Sequence, residues 1–451
     1  MRLLKKNKVV FVSCFFLVGT LFFIPLLSIG EATPALYPKN YMGEFRDTPG
    51  TPRGVVVHPD NTKAYVISEY EDTVYEILFD YGTCPVGRVF YLHDGEECSG
   101  GGQNKYQPKL GVIDDAGIYL YVTAFGSGTL GCDSVFKIDL TDYTVPYTMT
   151  RIDNGDFTGI DPFDHPAGID YASGYLYVAN AGGDTDNTGD SILKFNVNNP
   201  DGDRVWQSPN EQELLPPYLY KFDRPAKVIV DGSYVYVGIY GAEFYMKDYV
   251  YILNSSTLAT VNIIDTNRPN VLGMGRVGNY LYVVSQLHSA LLKYDVTTPA
   301  SVTTPAWDSG TGWLGTYNDA YPSDLQIMHN SDNGNDYIFI PNTGTELKKR
   351  LDFKEIKVIQ HGTTPTIIET ITTPYFEPES VAISPNGQYL VVSHKGTGTH
   401  VDAATVWTRT DPADLPTVNI IGICLLLVGL SLFLFVSHRK VILAKVRPGT
   451  E

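Results

Sequence analysis

Short apolar runs alternate along the chain with clusters of Gly, Asp, Asn, Thr and Pro, and from residue 52 to residue 408 the alternation keeps one order. Gly174 to Val197, GYLYVANAGGDTDNTGDSILKFNV, shows the unit. Tyr175-Leu176-Tyr177-Val178 is β-rich, a turn-forming run follows, and Ile192 to Val197 resumes β-type sequence, which predicts a hairpin. Just upstream, Pro166-Ala167-Gly168-Ile169-Asp170-Tyr171 reads as a short buried strand. Its opening proline lacks an N–H where no ladder bond is lost.

The order recurs. Pro52, Pro108, Pro166, Pro225, Pro269, Pro322 and Pro378 stand 44 to 59 residues apart, each followed by a short apolar strand such as GVVV or SVAI. A tyrosine-rich strand comes next (KAYVIS, YLYVTA, YLYVAN, YVYVGI, YLYVVS, YIFIPN, YLVVSH). A third strand is clear in five units, as in Val135-Phe136-Lys137-Ile138, and blurred in the sixth and seventh. A less regular fourth stretch follows, such as Arg88 to His93 or Val261 to Asp265. Such a unit is too small to bury its own faces and must stack on its neighbours. The pattern predicts an all-β, seven-bladed β-propeller of four-stranded antiparallel blades over residues 37–410. A β-helix or a pair of stacked sandwiches would not repeat this proline-strand-turn-strand register. The seventh unit has sequence for only three strands, so Tyr41 to Asp47, just ahead of Pro52, is expected to supply its outer strand and cover the edge.

Pro52 to Ile77 (PRGVVVHPDNTKAYVISEYEDTVYEI), the third unit, and Pro378 to Ser393 (PESVAISPNGQYLVVS) resemble the YVTN repeat family and its NHL-type relatives. The resemblance spans the repeat region. It implies a seven-bladed extracytoplasmic propeller of the kind found on microbial or archaeal surfaces. It implies no chemistry, because such propellers serve both as binding platforms and as enzymes.

The chain ends suggest where the propeller works. Residues 1–32 have the layout of a secretory signal: a basic start, an apolar run from Val9 to Ile29, then small residues ending in Ala32. An uncleaved anchor is the alternative, against which Pro25 would break a spanning helix. After a short linker, 411–417, residues 418–437 carry no charge and are long enough to cross a bilayer as one transmembrane helix. The tail 438–451 holds His438, Arg439, Lys440, Lys445 and Arg447, so the positive-inside rule places it in the cytoplasm and the propeller outside. A formal charge of -17 argues against a nucleic-acid surface, which needs clustered Lys and Arg. The expected partners are the membrane, through the anchor, and an extracellular protein or glycan met by the loops of one face.

Candidate chemistry is sparse. Asp153, Asp156, Asp161 and Asp164 precede the third unit's hairpin, and Asp184, Asp186 and Asp190 lie in its turn. Of these, Asp153, Asp156, Asp184, Asp186 and Asp190 form a candidate Ca2+ site, since oxygen ligands at Asp-x-Asp spacing suit that hard cation. Solvated turn aspartates are the alternative, and Phe195 stands where an EF-type loop would need Glu. A lactonase-like enzyme with an axial metal is the rival function. The positions just inside the opening prolines, Arg53, Lys109, Ala167, Ala226, Asn270, Ser323 and Glu379, make no carboxylate ring for it. Tyr240, Phe244, Tyr245 and Met246 crowd the fourth unit's hairpin loop as a candidate contact patch. Cys84, Cys98 and Cys132 face an oxidising exterior; Cys84 with Cys98 is the preferred pair, with all three pairings open. GSGTLG at 126–131 matches a dinucleotide fingerprint but precedes a strand, so it is a hairpin loop.

Overall fold

Each of the seven repeats forms a four-stranded antiparallel sheet in the computed structural model. The structure describes residues 37–409 apart from 46–49, 80–83, 93–105, 127–131, 158–162, 183–189, 203–204, 207–221, 223, 241–247, 316–320, 345–353 and 396–401. Blade one shows the pattern, with strands Pro52–Val57, Lys63–Ser68, Thr73–Leu78 and Val86–Tyr91 paired in chain order. The first strands of successive blades touch one another all the way round, which makes them the innermost strands about the axis.

Among the described residues the apolar core falls into seven clusters, each built from two successive blades. Alternation along the second strand explains this division. In blade two, Leu120 and Val122 pack towards blade one while Tyr121 packs towards blade three. The recurring tyrosines are therefore the wedge between one blade and the next, and Tyr65, Tyr121, Tyr236 and Tyr282 are fully buried.

Close approach of the innermost strands demands glycine at fixed points. A Cβ on Gly54 would lie 2.6 Å from the Lys109 carbonyl oxygen, and one on Gly168 would lie 2.6 Å from that of Ala226. One on Gly273 would lie 2.7 Å from the Asp324 carbonyl carbon. In each case the obstacle is the next blade's backbone, which cannot swing aside.

The expected closure is present. The strand Asn40–Phe45 pairs antiparallel with Ala403–Thr408 and completes blade seven. Third strands blurred in the sequence are formed at Glu355–Gln360 and Ala403–Thr408. Blade five corrects the register. Its innermost strand begins at Val271, which pairs with Ser285 as Pro52 pairs with Ser68, so Pro269 lies two residues ahead of the equivalent position. No helix among the described residues is long and apolar enough to cross a membrane. Residues 1–32 and 411–451, to which the signal, linker, anchor and tail were assigned, lie outside the described residues.

Candidate functional site

Two positions of the repeat converge at one end of the axis. The first follows the residue that opens each innermost strand, where the register slips between Pro52 and Gly54, Pro166 and Gly168, Val271 and Gly273, and their counterparts in three other blades. A bulge leaves one residue unpaired and re-aims its side chain. Arg53, Lys109, Ala167, Ala226, Leu272, Ser323 and Glu379 all line the same cavity of about 380 Å³. Leu272 replaces the expected Asn270, which is buried one residue ahead of the strand. The second position follows the second strand and brings Phe125, Ala181, Tyr240 and Gln286 to the wall. Its backbone N–H donates to the carbonyl of the residue just before the one that opens its own blade's innermost strand, as in Glu69 to Thr51 at 3.0 Å and Lys395 to Glu377 at 3.0 Å.

The wall carries both charged and apolar groups. Blades seven, one and two supply a chain of charges: Glu379 accepts from Arg53 at 2.6 Å, and Glu69 accepts from both Arg53 and Lys109. Burial works against the Arg53 charge, but Glu379 and Glu69 hold the guanidinium above its usual range. Burial likewise opposes ionisation of Glu69, which Arg53 and Lys109 outweigh, leaving its carboxyl below the usual range. Burial lowers the Lys109 ammonium, with Glu69 resisting and Arg53 assisting. Its ammonium lies 4.8 Å from the Phe125 ring centre.

A second network uses the three repeats that place a polar side chain two residues after the opening residue, where blades one, three and five have Gly54, Gly168 and Gly273. These are Lys227, Asp324 and Ser380, from blades four, six and seven. Asp324 accepts from Lys227 at 2.9 Å and from Ser380 at 2.8 Å. The Lys227 stem thus reaches past blade five to close one side of the mouth. Sequence reading passed over this trio, although departure from glycine at that position was its signal. Ala167, Ala181, Ala226, Leu272, Leu110 and Phe125 supply the apolar part of the lining.

Asp153, Asp156 and Asp190 are held by different structures. Asp153 pairs with Arg151 at 2.5 Å and accepts from Gly155 N at 2.8 Å, while Asp156 accepts from Asp153 N at 3.0 Å; the two box a single 3-10 turn. Asp190 is buried and belongs to a repeated clasp. An aspartate directly before the third strand accepts from the backbone N–H of a residue that leads into the next blade: Asp72 from Gln107 at 2.9 Å, Asp133 from His165 at 3.2 Å, Asp190 from Arg224 at 3.1 Å. Those three residues have φ of 47°, 51° and 53°, a left-handed backbone that the carboxylate steadies. Asp184 and Asp186 lie outside the described residues.

The acidic and histidine groups that come within metal-binding distance, among the described residues, are Asp133, Asp164 and His165. None of them belongs to the five-aspartate set. Burial pushes the Asp133 carboxyl up to about 7, with His165 opposing and Asp164 reinforcing. Asp164 Oδ1 is hydrogen-bonded to His165 Nδ1 at 2.7 Å and Asp133 Oδ1 accepts from His165 N, so one oxygen of each aspartate holds the loop ahead of blade three.

Tyr240 lines the axial cavity instead of standing on an exposed loop, while Phe244, Tyr245 and Met246 lie outside the described residues. Cys132 is disulfide-bonded, and Cys98 lies outside the described residues. Cys84 is buried in the cluster between blades seven and one, whereas Cys132 belongs to the cluster between blades one and two.

No protein-family profile matches the chain, and no curated protein matches it. Solved structures do. The WD40 repeats of RRP9 superpose with a TM-score of 0.59 at 11% identity, covering 82% of this chain and 98% of that one. The β-propeller domain of Myceliophteria thermophila Cps50 (Swd1) gives 0.55 at 13% identity, covering 83% and 100%. Hydrazine synthase of Kuenenia stuttgartiensis gives 0.54 at 13% identity, covering 77% and 94%. Likeness at this identity establishes the propeller and nothing about its task.

Proposed function

We propose that the chain is a single-pass, membrane-anchored recognition protein of YVTN or NHL type, whose propeller stands outside the cell and binds its partner at the axial mouth without transforming it. One observation carries this reading against the lactonase-like rival: Glu69, Glu379 and Asp324 are each bonded to a protein cation. A metal would have to displace Arg53, Lys109 or Lys227 from partly buried carboxylates, and stranding such a charge costs about 3–5 kcal/mol. The donors among the described residues therefore argue against an axial metal. The uncharged segment 418–437, with basic residues after it, supports the anchor and the outward orientation.

Hydrolysis assays on the full-length protein test the non-catalytic part. Lactones and aryl esters, offered with Ca2+, Mn2+ or Zn2+, should be turned over no faster with the metal than without. Metal-dependent turnover that disappears in Glu379→Gln would establish the enzyme instead.

A further inference from the structure

We propose that Asn254 is the acceptor of an N-linked glycan, carried on the face of the propeller opposite the axial mouth. The proposal rests on the outward orientation of the propeller and not on what the mouth binds.

Asn254-Ser255-Ser256 is the one Asn-x-Ser/Thr triplet in the sequence, and its middle residue is not proline. It lies where the strand Tyr249–Asn254 turns towards Thr260–Asp265 in blade four. Asn254 stands opposite Tyr234, whereas Ile239, at the other end of that strand, stands opposite Pro225 at the mouth. A glycan on Asn254 therefore leaves the mouth open.

The turn sorts the three residues by accessibility. Ser255 is buried: its carbonyl accepts from the Tyr177 hydroxyl at 3.0 Å and from Lys194 Nζ at 2.9 Å, and its own hydroxyl donates to the Gly232 carbonyl at 2.9 Å. Ser256 is exposed and Asn254 partly so. One atom of the Asn254 amide receives the Ser256 N–H at 2.9 Å, the Thr257 N–H at 3.0 Å and the Thr257 hydroxyl at 3.2 Å. Facing two backbone donors, that atom is the oxygen. Nδ2 is the other arm of the amide and has no acceptor among the described residues. The donor for transfer is a lipid-linked oligosaccharyl phosphate. The bond from Nδ2 to the anomeric carbon forms, the bond from that carbon to the phosphate oxygen breaks, the phosphate leaves with the electron pair, and Nδ2 gives up one proton. Oδ1 is untouched, so the bonds that hold the turn survive the modification.

Mass spectrometry of peptides from the full-length protein, isolated from the membranes of the cells that make it, tests the proposal. The peptide carrying Asn254 should be heavier than its sequence by a run of sugar residues. Asn254→Gln should lose the whole increment. Ser256→Ala should lose it too, because the triplet is broken while Asn254 stays. Ser256 lends the turn its backbone N–H, so Ser256→Ala keeps the test open should Asn254→Gln fail to fold. Ser256→Thr, which preserves the triplet, should keep the glycan. An unmodified Asn254 peptide in the parent protein would overturn the proposal. Sugar that persists in Asn254→Gln would also overturn it, by placing the linkage on a hydroxyl. Protease treatment of intact cells separates the two readings. A propeller that is cut from outside yet carries no sugar on Asn254 strikes the glycan alone, whereas one that is both protected and unmodified strikes the orientation as well.

Discussion

Deleting residues 37–45 abolishes the cooperative melting transition of the propeller. This stretch contributes the outer strand of blade seven, paired from Asn40 opposite Thr408 to Phe45 opposite Ala404. It also buries Tyr37 in the cluster between blades six and seven, and Met42 and Phe45 in the cluster between blades seven and one. Three side chains at roughly 1.5–3 kcal/mol each amount to about 5–9 kcal/mol. A domain is stable by only about 5–15 kcal/mol, so the loss is comparable to the whole. The deletion also bares the N–H and C=O groups of Ala403–Thr408 as an open edge, inviting aggregation. Phe45→Ala alone, which removes one ring packed 5.2 Å from that of Tyr75, should cost about 3–5 kcal/mol and leave a cooperative but lower transition. Thermal melts by circular dichroism decide the matter. A truncated chain that melts cooperatively at the parent temperature would show that this strand does not close the ring.

Gly168→Ala should destabilise far more than Gly174→Ala, although only six positions separate Gly168, near the start of the strand Pro166–Ala172, from Gly174 in the turn after it. The added methyl at Gly168 would meet the Ala226 carbonyl oxygen at 2.6 Å, its carbon at 3.0 Å and the Lys227 Cα at 3.2 Å. All three are backbone, so blades three and four must part, and the cost lies at or above the top of the roughly 1–3 kcal/mol usual for overpacking. Gly174 has φ of +86° with nothing within 4 Å, so its substitution meets only left-handed backbone strain, about 1–2 kcal/mol. Parting the blades at Gly168 also displaces Ala167 and Ala226, hence the variant should lose the axial cavity along with its stability. Equal melting temperatures for the two variants would contradict the packing described here.

The architecture was legible because each repeat states it locally: an opening proline, an apolar strand, then a tyrosine strand whose alternating faces serve two neighbours. Closure was legible for the same reason, since a missing fourth strand at one end matched a spare one at the other. Blade five misled because Pro269 was taken for the opening residue, whereas Val271 holds that place, and the error put Asn270 at the axis instead of Leu272. The mouth was half visible. Arg53, Lys109 and Glu379 could be placed by counting from a proline, but their electrostatic roles depend on partners that no local pattern reveals. Arg53 and Glu379 are 326 positions apart, and Lys227 reaches Asp324 across an intervening blade. The aspartates show the converse. Asp153, Asp156 and Asp190 form an acidic run in the sequence, yet the fold spends them on a turn and on a clasp between blades.

Protease accessibility on intact cells tests the central claim, that an anchored propeller presents its axial mouth to the exterior. With antibodies against the propeller and against the tail 438–451, brief digestion should remove the propeller signal and leave a short membrane-protected fragment that still carries the tail. A propeller that resists protease until the cells are permeabilised, while the tail is cut from outside, would contradict the orientation and with it the proposed recognition of an extracellular ligand.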